Sequence, residues 1–370
     1  MDLITVSEHG KNSPIEGVVA PGFELVAEMF VRNFEQGLEI GSAVAAYRGD
    51  QLLFDLWGGF KDEERQEPWE SDTMACVHSS TKAIAALAIA MSLSRDHLKL
   101  DQPIADYWPE FAVNGKEAIT VRQILDHSAG LPIVEEQLSI AIMADLDALS
   151  VILARQTPQW EPGTRHGYHG WTIGMYLNEI MRRTDPESRT IGRFVQDEIF
   201  DLLNEEFYIG LPDHIDDSRV SGEIMTGRTM WELFAWSPMV AMSILLPKWM
   251  KGDSLASKML NNPPELGTVS NFHRRDVRSV EFPGGNGIGT ARAMARAMAA
   301  SLAENNPLQI SPEVKAEIEK THPKSGLNEL DAVMGGPSLF QMGFAKPTAQ
   351  SQYGSRPRTY FHPGGGANLC

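Results

Sequence analysis

Ser79-Ser80-Thr81-Lys82-Ala83-Ile84-Ala85-Ala86-Leu87-Ala88-Ile89-Ala90-Met91-Ser92-Leu93-Ser94 is the stretch on which the reading of this chain turns. From Thr81 to Ser94 it is rich in Ala, Ile, Leu and Met, with no Gly or Pro, which predicts a buried helix. Ser79 and Lys82 open it three residues apart, so the two side chains share one helix face and the lysine can reach the hydroxyl. A serine hydroxyl is a weak nucleophile that needs a base beside it. A lysine serves once burial lowers its pKa, because desolvation disfavours the charged form. The helix N-terminus adds backbone N–H groups where an oxyanion would form. Alone, Ser-x-x-Lys arises by chance, and a serine at a helix start is more often just a cap.

Upstream, Phe23, Val26, Ala27, Phe30, Val31 and Phe34 recur at helical spacing and predict a helix over Phe23–Glu35. Gly41–Tyr47 and Gln51–Trp57 are apolar runs joined by Arg48-Gly49-Asp50, an antiparallel hairpin with good turn chemistry. Downstream, Thr120 starts a helix over Val121–His127 that Gly130 and Pro132 end. Helical patterns continue through Ala141–Arg155, Trp171–Arg183 and Ile191–Leu203. Asp213 to Glu281 changes character, with charged loops around the Met- and aromatic-rich segment Met230–Met250. Core packing suits that segment, and so does a lid, an acyl pocket or a dimer contact. Pro283 to Gly289 reads as a turn, after which Thr290 caps a helix to about Ala303. Ser338–Phe344 and Arg358–Phe361 read as extended. Strands at both ends with helices between predict a sheet domain from both termini (1–75 and 283–370) and a helical domain (76–282) with a variable insertion at about 213–282.

The chain has 370 residues, 42% hydrophobic and 22% charged, as an ordinary globular protein does. Its formal charge is −17, which disfavours nucleic acid and anionic membrane surfaces as partners. Two cysteines, Cys76 and Cys370, cannot make a disulfide framework or a four-thiolate zinc site. The N-terminus lacks a secretory pattern, and the longest apolar run, Leu233 to Leu246, is too short to span a bilayer. These features predict a cytoplasmic protein.

Other chemistries find no pattern. There is no Gly-x-Ser-x-Gly elbow and no His-Glu-x-x-His. His166 and His169 lack a carboxylate at metal-ligand spacing and read as polar loop histidines. Gly285, Gly287 and Gly289 imitate a dinucleotide fingerprint, but Arg292 stands where its third glycine belongs. No metal and no cofactor is expected.

The serine motif has company. Leu56-Trp57-Gly58-Gly59 precedes it. After it come Leu100-Asp101-Gln102-Pro103-Ile104, the run from Ile119 through Asp126-His127-Ser128-Ala129-Gly130-Leu131-Pro132, Trp160-Glu161-Pro162-Gly163-Thr164 and Gly167-Tyr168-His169-Gly170. This ordered series, from about Gly17 to the last residue, resembles the serine β-lactamase and penicillin-binding-protein superfamily. Within it the chain looks most like the carboxylesterases related to class C β-lactamases, often called family VIII esterases. The resemblance implies an α/β (α+β) fold of the β-lactamase-like type, with an antiparallel sheet built from both chain ends, flanked by helices, plus a helical domain.

Carried over, Ser79 is the nucleophile, Lys82 its proton partner and Tyr168 the second base, at the head of the family's Tyr-x-Asn motif. Gly170 replaces that Asn, as in the esterase branch. A phenolate at Tyr168 would be favoured beside a lysine ammonium. The family's Lys-Thr-Gly falls on His362-Pro363-Gly364, and Gly365 would complete the oxyanion hole with the Ser79 N–H. His362 replaces a lysine that helps hold the carboxylate of β-lactams, which fits neutral esters better. In the family two further strands and a closing helix follow, whereas this sequence stops at Cys370, so the chain reads as truncated. The resemblance thus implies a serine carboxylesterase acting on small uncharged acyl esters, with the ester as partner and a possible homo-oligomer. Its rivals are β-lactam or D-amino-acid peptide hydrolysis by the same residues, acyl transfer to an alcohol, and a non-catalytic scaffold.

Overall fold

The computed structural model describes residues 2–10, 13–62, 64, 66–222, 253–267, 269–320, 330–348, 354, 356 and 358–365. The segment Met230–Met250 and the terminal Cys370 lie outside them. Four antiparallel strands, β1 (Ile4–Gly10), β2 (Ser13–Val19), β3 (Gly41–Arg48) and β4 (Gln51–Gly59), form a sheet in the order β1-β2-β4-β3. The predicted hairpin is its β3–β4 pair. The other two strands carry no clear pattern in the sequence: β1 is exposed along most of its length, and β2 contains Pro14 and Gly17, which interrupt a strand signal. Among the described residues all four strands come from the first 59, and the C-terminal part contributes a covering helix instead.

Helix α1 (Glu24–Glu35) lays Ala27, Phe30 and Phe34 on one face of this sheet, against Ile15, Val19 and Leu56. Strand alternation turns Asp55 to the opposite face, where it pairs at 2.9 Å with Arg292.

The larger core surrounds helix α2 (Thr81–Ser94), in which Thr81 through Ser92 are all buried. The predicted helix has these same bounds. Packed around it are α3 (Val121–Leu125), α4 (Ile140–Ala144), α5 (Leu146–Arg155), α6 (Thr172–Thr184) and α7 (Ile191–Val195). Three expectations need correction. The helix expected over Ala141–Arg155 is two, because Asp145 leaves helical geometry and caps α5 through Ala148 N–H at 3.0 Å. That over Ile191–Leu203 widens into a π-turn at Gln196–Phe200. That over Val121–His127 stops at Leu125, and His127 takes a left-handed φ of 55°. No helix of the described residues is long and apolar enough to cross a membrane.

A small second sheet positions the start of α2. Strand β5 (Ala75–Cys76) and β6 (Phe207–Ile209) flank β7 (Gly287–Gly289), which the sequence reading took for part of a turn. Three residues are too few, and two of them glycines too featureless, to register as a strand. The Val77 N–H donates to Gly287 O at 2.8 Å, and the Gly287 N–H donates to Thr81 Oγ1 at 2.8 Å. Thr81 Oγ1 in turn donates to His78 O at 2.5 Å. Thr290 caps the next helix, Ala291–Leu302, as predicted. The last strands, β8 (Phe340–Gln341) and β9 (Phe344–Ala345), pair with each other, and Ala345 bridges to Phe361.

Thr81→Val would strand the buried Gly287 N–H without its acceptor. Loss of one buried hydrogen-bond partner costs about 1–3 kcal/mol. Urea unfolding should therefore give a lower midpoint with an unchanged slope.

Candidate active site

The residue before Ser79 makes the corner. His78 holds φ at 44°, a left-handed conformation uncommon outside glycine. The chain thus turns abruptly from β5 into α2, and Ser79 stands at the turn, as on a nucleophile elbow reached without the Gly-x-Ser-x-Gly sequence. Its ring packs edge-on against Phe272 with centroids 4.8 Å apart.

The structure brings Ser79, Lys82 and Tyr168 together. Lys82 Nζ lies 2.9 Å from Ser79 Oγ and 2.5 Å from Gly284 O. Tyr168 Oη lies 2.8 Å from the same Ser79 oxygen, and Lys82 Nζ sits 5.0 Å from the Tyr168 ring centroid. Burial holds the Lys82 amine far below the usual lysine range. Burial also raises the Tyr168 phenol; the bond to Ser79 lowers it, and the Asp331 charge adds to the rise. The expected phenolate is therefore corrected: burial favours the neutral form of the phenol and of the amine alike.

Tyr168 is fixed by its backbone and by aromatic neighbours of its ring. The Gly167 N–H donates to His127 O at 3.0 Å, and the His169 N–H donates to His127 Nδ1 at 2.8 Å. The Tyr168 N–H reaches both oxygens of the Asp331 carboxylate at 3.1 Å. Phe340 stacks on the phenol with centroids 5.6 Å apart and planes at 17°. His362 lies 6.1 Å from the ring on centroids.

His166 and His169, read as polar loop histidines, are buried instead. His169 accepts the Leu131 N–H through Nε2 at 2.9 Å and donates from Nδ1 to Gly167 O at 2.6 Å. Burial pushes its pKa down to about 3. Their spacing gave no hint of this, since the burying partners come from distant loops. Asp331, Phe340 and His127 also belong to the site and are not singled out as site residues in the sequence: His127 lies inside a quoted motif run without a role of its own, and Asp331 and Phe340 stand outside any motif. Among the described residues no cluster of His, Cys, Asp or Glu is arranged to hold a metal ion.

The C-terminal segment closes one side. Ser80 Oγ donates to His362 O at 2.9 Å. Gly364 lies so close to the start of α2 that a Cβ there would stand 2.3 Å from Val77 O, a contact only glycine permits. Gly365 follows beside the His78 ring. His362 is buried. Its Nδ1 lies 2.8 Å from Pro363 O, which can only accept, so the proton is on Nδ1. Burial pushes its pKa down to about 3. It supplies no cation at neutral pH. The position of the family's Asn is likewise apolar: the Gly170 N–H donates to Met259 Sδ at 3.1 Å, and a Cβ on Gly170 would meet that sulfur at 2.6 Å.

Comparison with known proteins follows this geometry. The Beta-lactamase family profile matches residues 30–370. A solved family VIII carboxylesterase is 29% identical with a TM-score of 0.78, covering 96% of this chain and 91% of its own. A penicillin-binding-protein homologue from Caulobacter crescentus is 31% identical with a TM-score of 0.77, covering 95% and 88%. Among curated relatives, the esterase/beta-lactamase LipL of Mycobacterium tuberculosis is 29% identical over 286 residues, 76% of this chain and 62% of LipL. The match therefore spans less than two thirds of that relative's length. With the profile running over nearly the whole chain and the Ser79–Lys82–Tyr168 cluster at the head of α2, the chain belongs to the Beta-lactamase family.

Proposed function

We propose that this protein is a serine hydrolase, a carboxylesterase that cleaves small uncharged acyl esters through an acyl-enzyme on Ser79. The observation that carries the reading is a buried lysine amine 2.9 Å from a serine oxygen that a tyrosine hydroxyl meets at 2.8 Å. An uncharged Lys82 has a lone pair to accept the Ser79 proton, while its own N–H points to Gly284 O. Ser79 Oγ adds to the ester carbonyl carbon as that proton passes to Lys82. The N–H groups of Ser79 and Gly365 receive the oxyanion. On collapse the C–O bond to the alcohol breaks, Tyr168 gives its proton to the leaving alkoxide, and the Lys82 ammonium restores it. Water then attacks the acyl-enzyme by the same steps in reverse.

The preference for uncharged esters rests on what the described residues of the site lack. A carboxylate-bearing substrate needs a fixed cation, and His362 is neutral where the family's lysine would stand. Met259 fills the place of an amide that could bind a substrate's amide group. The similar chains include a carboxylesterase and an esterase/beta-lactamase, in keeping with ester chemistry.

Incubation with an alkyl p-nitrophenyl phosphonate should add one adduct by intact mass, mapped to the Ser79 peptide and absent from Ser79→Ala. p-Nitrophenyl butyrate should turn over far faster than a chromogenic cephalosporin; comparable rates would favour the β-lactamase reading, and no adduct a scaffold. Tyr168→Phe should lower kcat by about 10²–10⁴-fold. The acid limb of kcat/KM should lie well below pH 10.5, the ordinary lysine value, because activity is lost as pH falls through the depressed Lys82 pKa.

His362 gives a separate test of the neutral site. Its pKa is 6.5 unfolded and about 3 folded, so its contribution to stability is present above pH 6.5 and lost as pH falls toward 3. Asp126 and Glu281, both raised to about 7 mainly by burial, act oppositely, being stabilising at low pH and losing that as pH rises to 7. The His362 part is isolated by difference. Between pH 7.5 and 4.5, His362→Phe should lose roughly 2 kcal/mol less stability than the unsubstituted chain. An equal loss in both would mean that His362 is not held neutral.

A further inference from the structure

Asp331 belongs to none of the motifs that mark this family in the sequence, yet it is almost wholly buried and its carboxylate gathers donors from three directions. Beyond the Tyr168 N–H at 3.1 Å on both oxygens, Oδ1 accepts the Val333 and Met334 N–H groups, each at 2.8 Å. Oδ2 accepts the Ser338 hydroxyl at 2.8 Å, and Ser338 Oγ lies 3.0 Å from His166 Nε2. The loop closes on itself through Asp331 N–H to Gly336 O at 2.9 Å. It closes on the tyrosine segment through Ala332 N–H to His166 O at 3.0 Å.

The three consecutive N–H groups of Gly167, Tyr168 and His169 therefore all have fixed acceptors. His127 holds the outer two and Asp331 the middle one. The outer pair sets the path of the strand-like segment, whereas the middle bond sets the peptide plane from which the Tyr168 side chain springs. A rotation of that plane moves Oη, at the far end of the phenol, by more than it moves the backbone. Oη must stay within hydrogen-bond reach of Ser79 Oγ, and misplacement of a reacting group by about 1 Å costs on the order of 10²-fold in rate.

We propose that Asp331 is the positioning residue of this site, a carboxylate that orients Tyr168 against Ser79 by holding its backbone N–H and, through Ser338, the neighbouring His166. This rests on the reading of Tyr168 as the group that passes the proton to the leaving alkoxide. Asp331 touches no reacting atom and acts only through Tyr168. The carboxylate also adds to the pressure that keeps the phenol protonated, as proton donation to an alkoxide requires.

The test is a double-mutant cycle on p-nitrophenyl butyrate hydrolysis with Asp331→Asn, Tyr168→Phe and the pair, each checked by thermal melting. Asp331→Asn should lower kcat by about 100-fold with KM within about threefold of the unsubstituted protein. Placed in the Tyr168→Phe background it should cost less than about threefold, because the hydroxyl it orients is already gone. A full and additive loss in that background overturns the positioning role while leaving Tyr168 in place. Unchanged turnover in Tyr168→Phe alone overturns both readings. Ser338→Ala, which removes one donor and the link to His166, guards against a chain that does not fold. It should lower kcat by about tenfold and also lose its effect in the Tyr168→Phe background, and persistence of that effect counts against the proposal.

Discussion

The amine of Lys82 sits inside a helix that is buried on every side, and the site is arranged around the cost of that position. An ammonium there would be desolvated, and among the described residues no carboxylate lies against it to compensate. What the structure offers is a serine hydroxyl, a carbonyl from the 283–285 turn and the face of a phenol. Those partners satisfy a buried amine, and in the proposed reaction its lone pair takes the Ser79 proton. The same lysine on a solvated helix would carry a proton at neutral pH and could not take one from a hydroxyl. Burial of α2 is therefore both the centre of the larger core and the device that depresses the pKa of Lys82.

Once the lysine is uncharged, its surroundings have to be uncharged as well. A phenolate at Tyr168 would stand in low dielectric beside no cation, and each charged histidine would do the same. The shell around the phenol includes Phe340, His127 and His362, with the His127 and His362 pKa values both depressed, chiefly by burial. The imidazoles behave as polar rings with fixed tautomers: His127 accepts on Nδ1, and His169 accepts on Nε2 and donates on Nδ1. Asp331 is the exception. It is tolerated because four neighbouring donors face it, and it lies behind the backbone of Tyr168 while the hydroxyl is directed to Ser79.

The elements most legible in the sequence were those whose neighbours are local. Helix α2 read true because an unbroken apolar run needs no partner to declare itself, and the β3–β4 hairpin because its turn residues are specific. Ser79 and Lys82 were legible as an i, i+3 pair, and Tyr168 through the ordered series of motifs around it. The hidden parts are those that distant segments create. Strand β7 exists because Ala75–Cys76 and Phe207–Ile209 come to either side of it. The burial of His166 goes with the loop that brings Ser338 against it, and that of His169 with His127, Trp160 and Leu131 from other segments. Protonation states were the least legible. A lysine set beside a tyrosine by the family resemblance suggests an ammonium and a phenolate, and only the depth of both groups reverses the conclusion.

The two departures from the family's motifs point the same way physically. Where the motif has Asn, Gly170 gives its space to the Met259 sulfur, and where it has Lys, His362 turns its proton onto the next carbonyl. Each exchange removes a polar anchor for a substrate and leaves the distances among Ser79, Lys82 and Tyr168 within hydrogen-bond range. Nucleophile activation in this arrangement depends on the depth of α2, whereas substrate charge is read by residues at its rim. The two can therefore change separately. A chain that keeps the buried amine and loses the rim cation retains the means to attack an activated carbonyl but lacks the charge that would seat a carboxylate beside it. Under the proposed function, uncharged esters sacrifice least by that loss, since they present no charge for the missing lysine to hold.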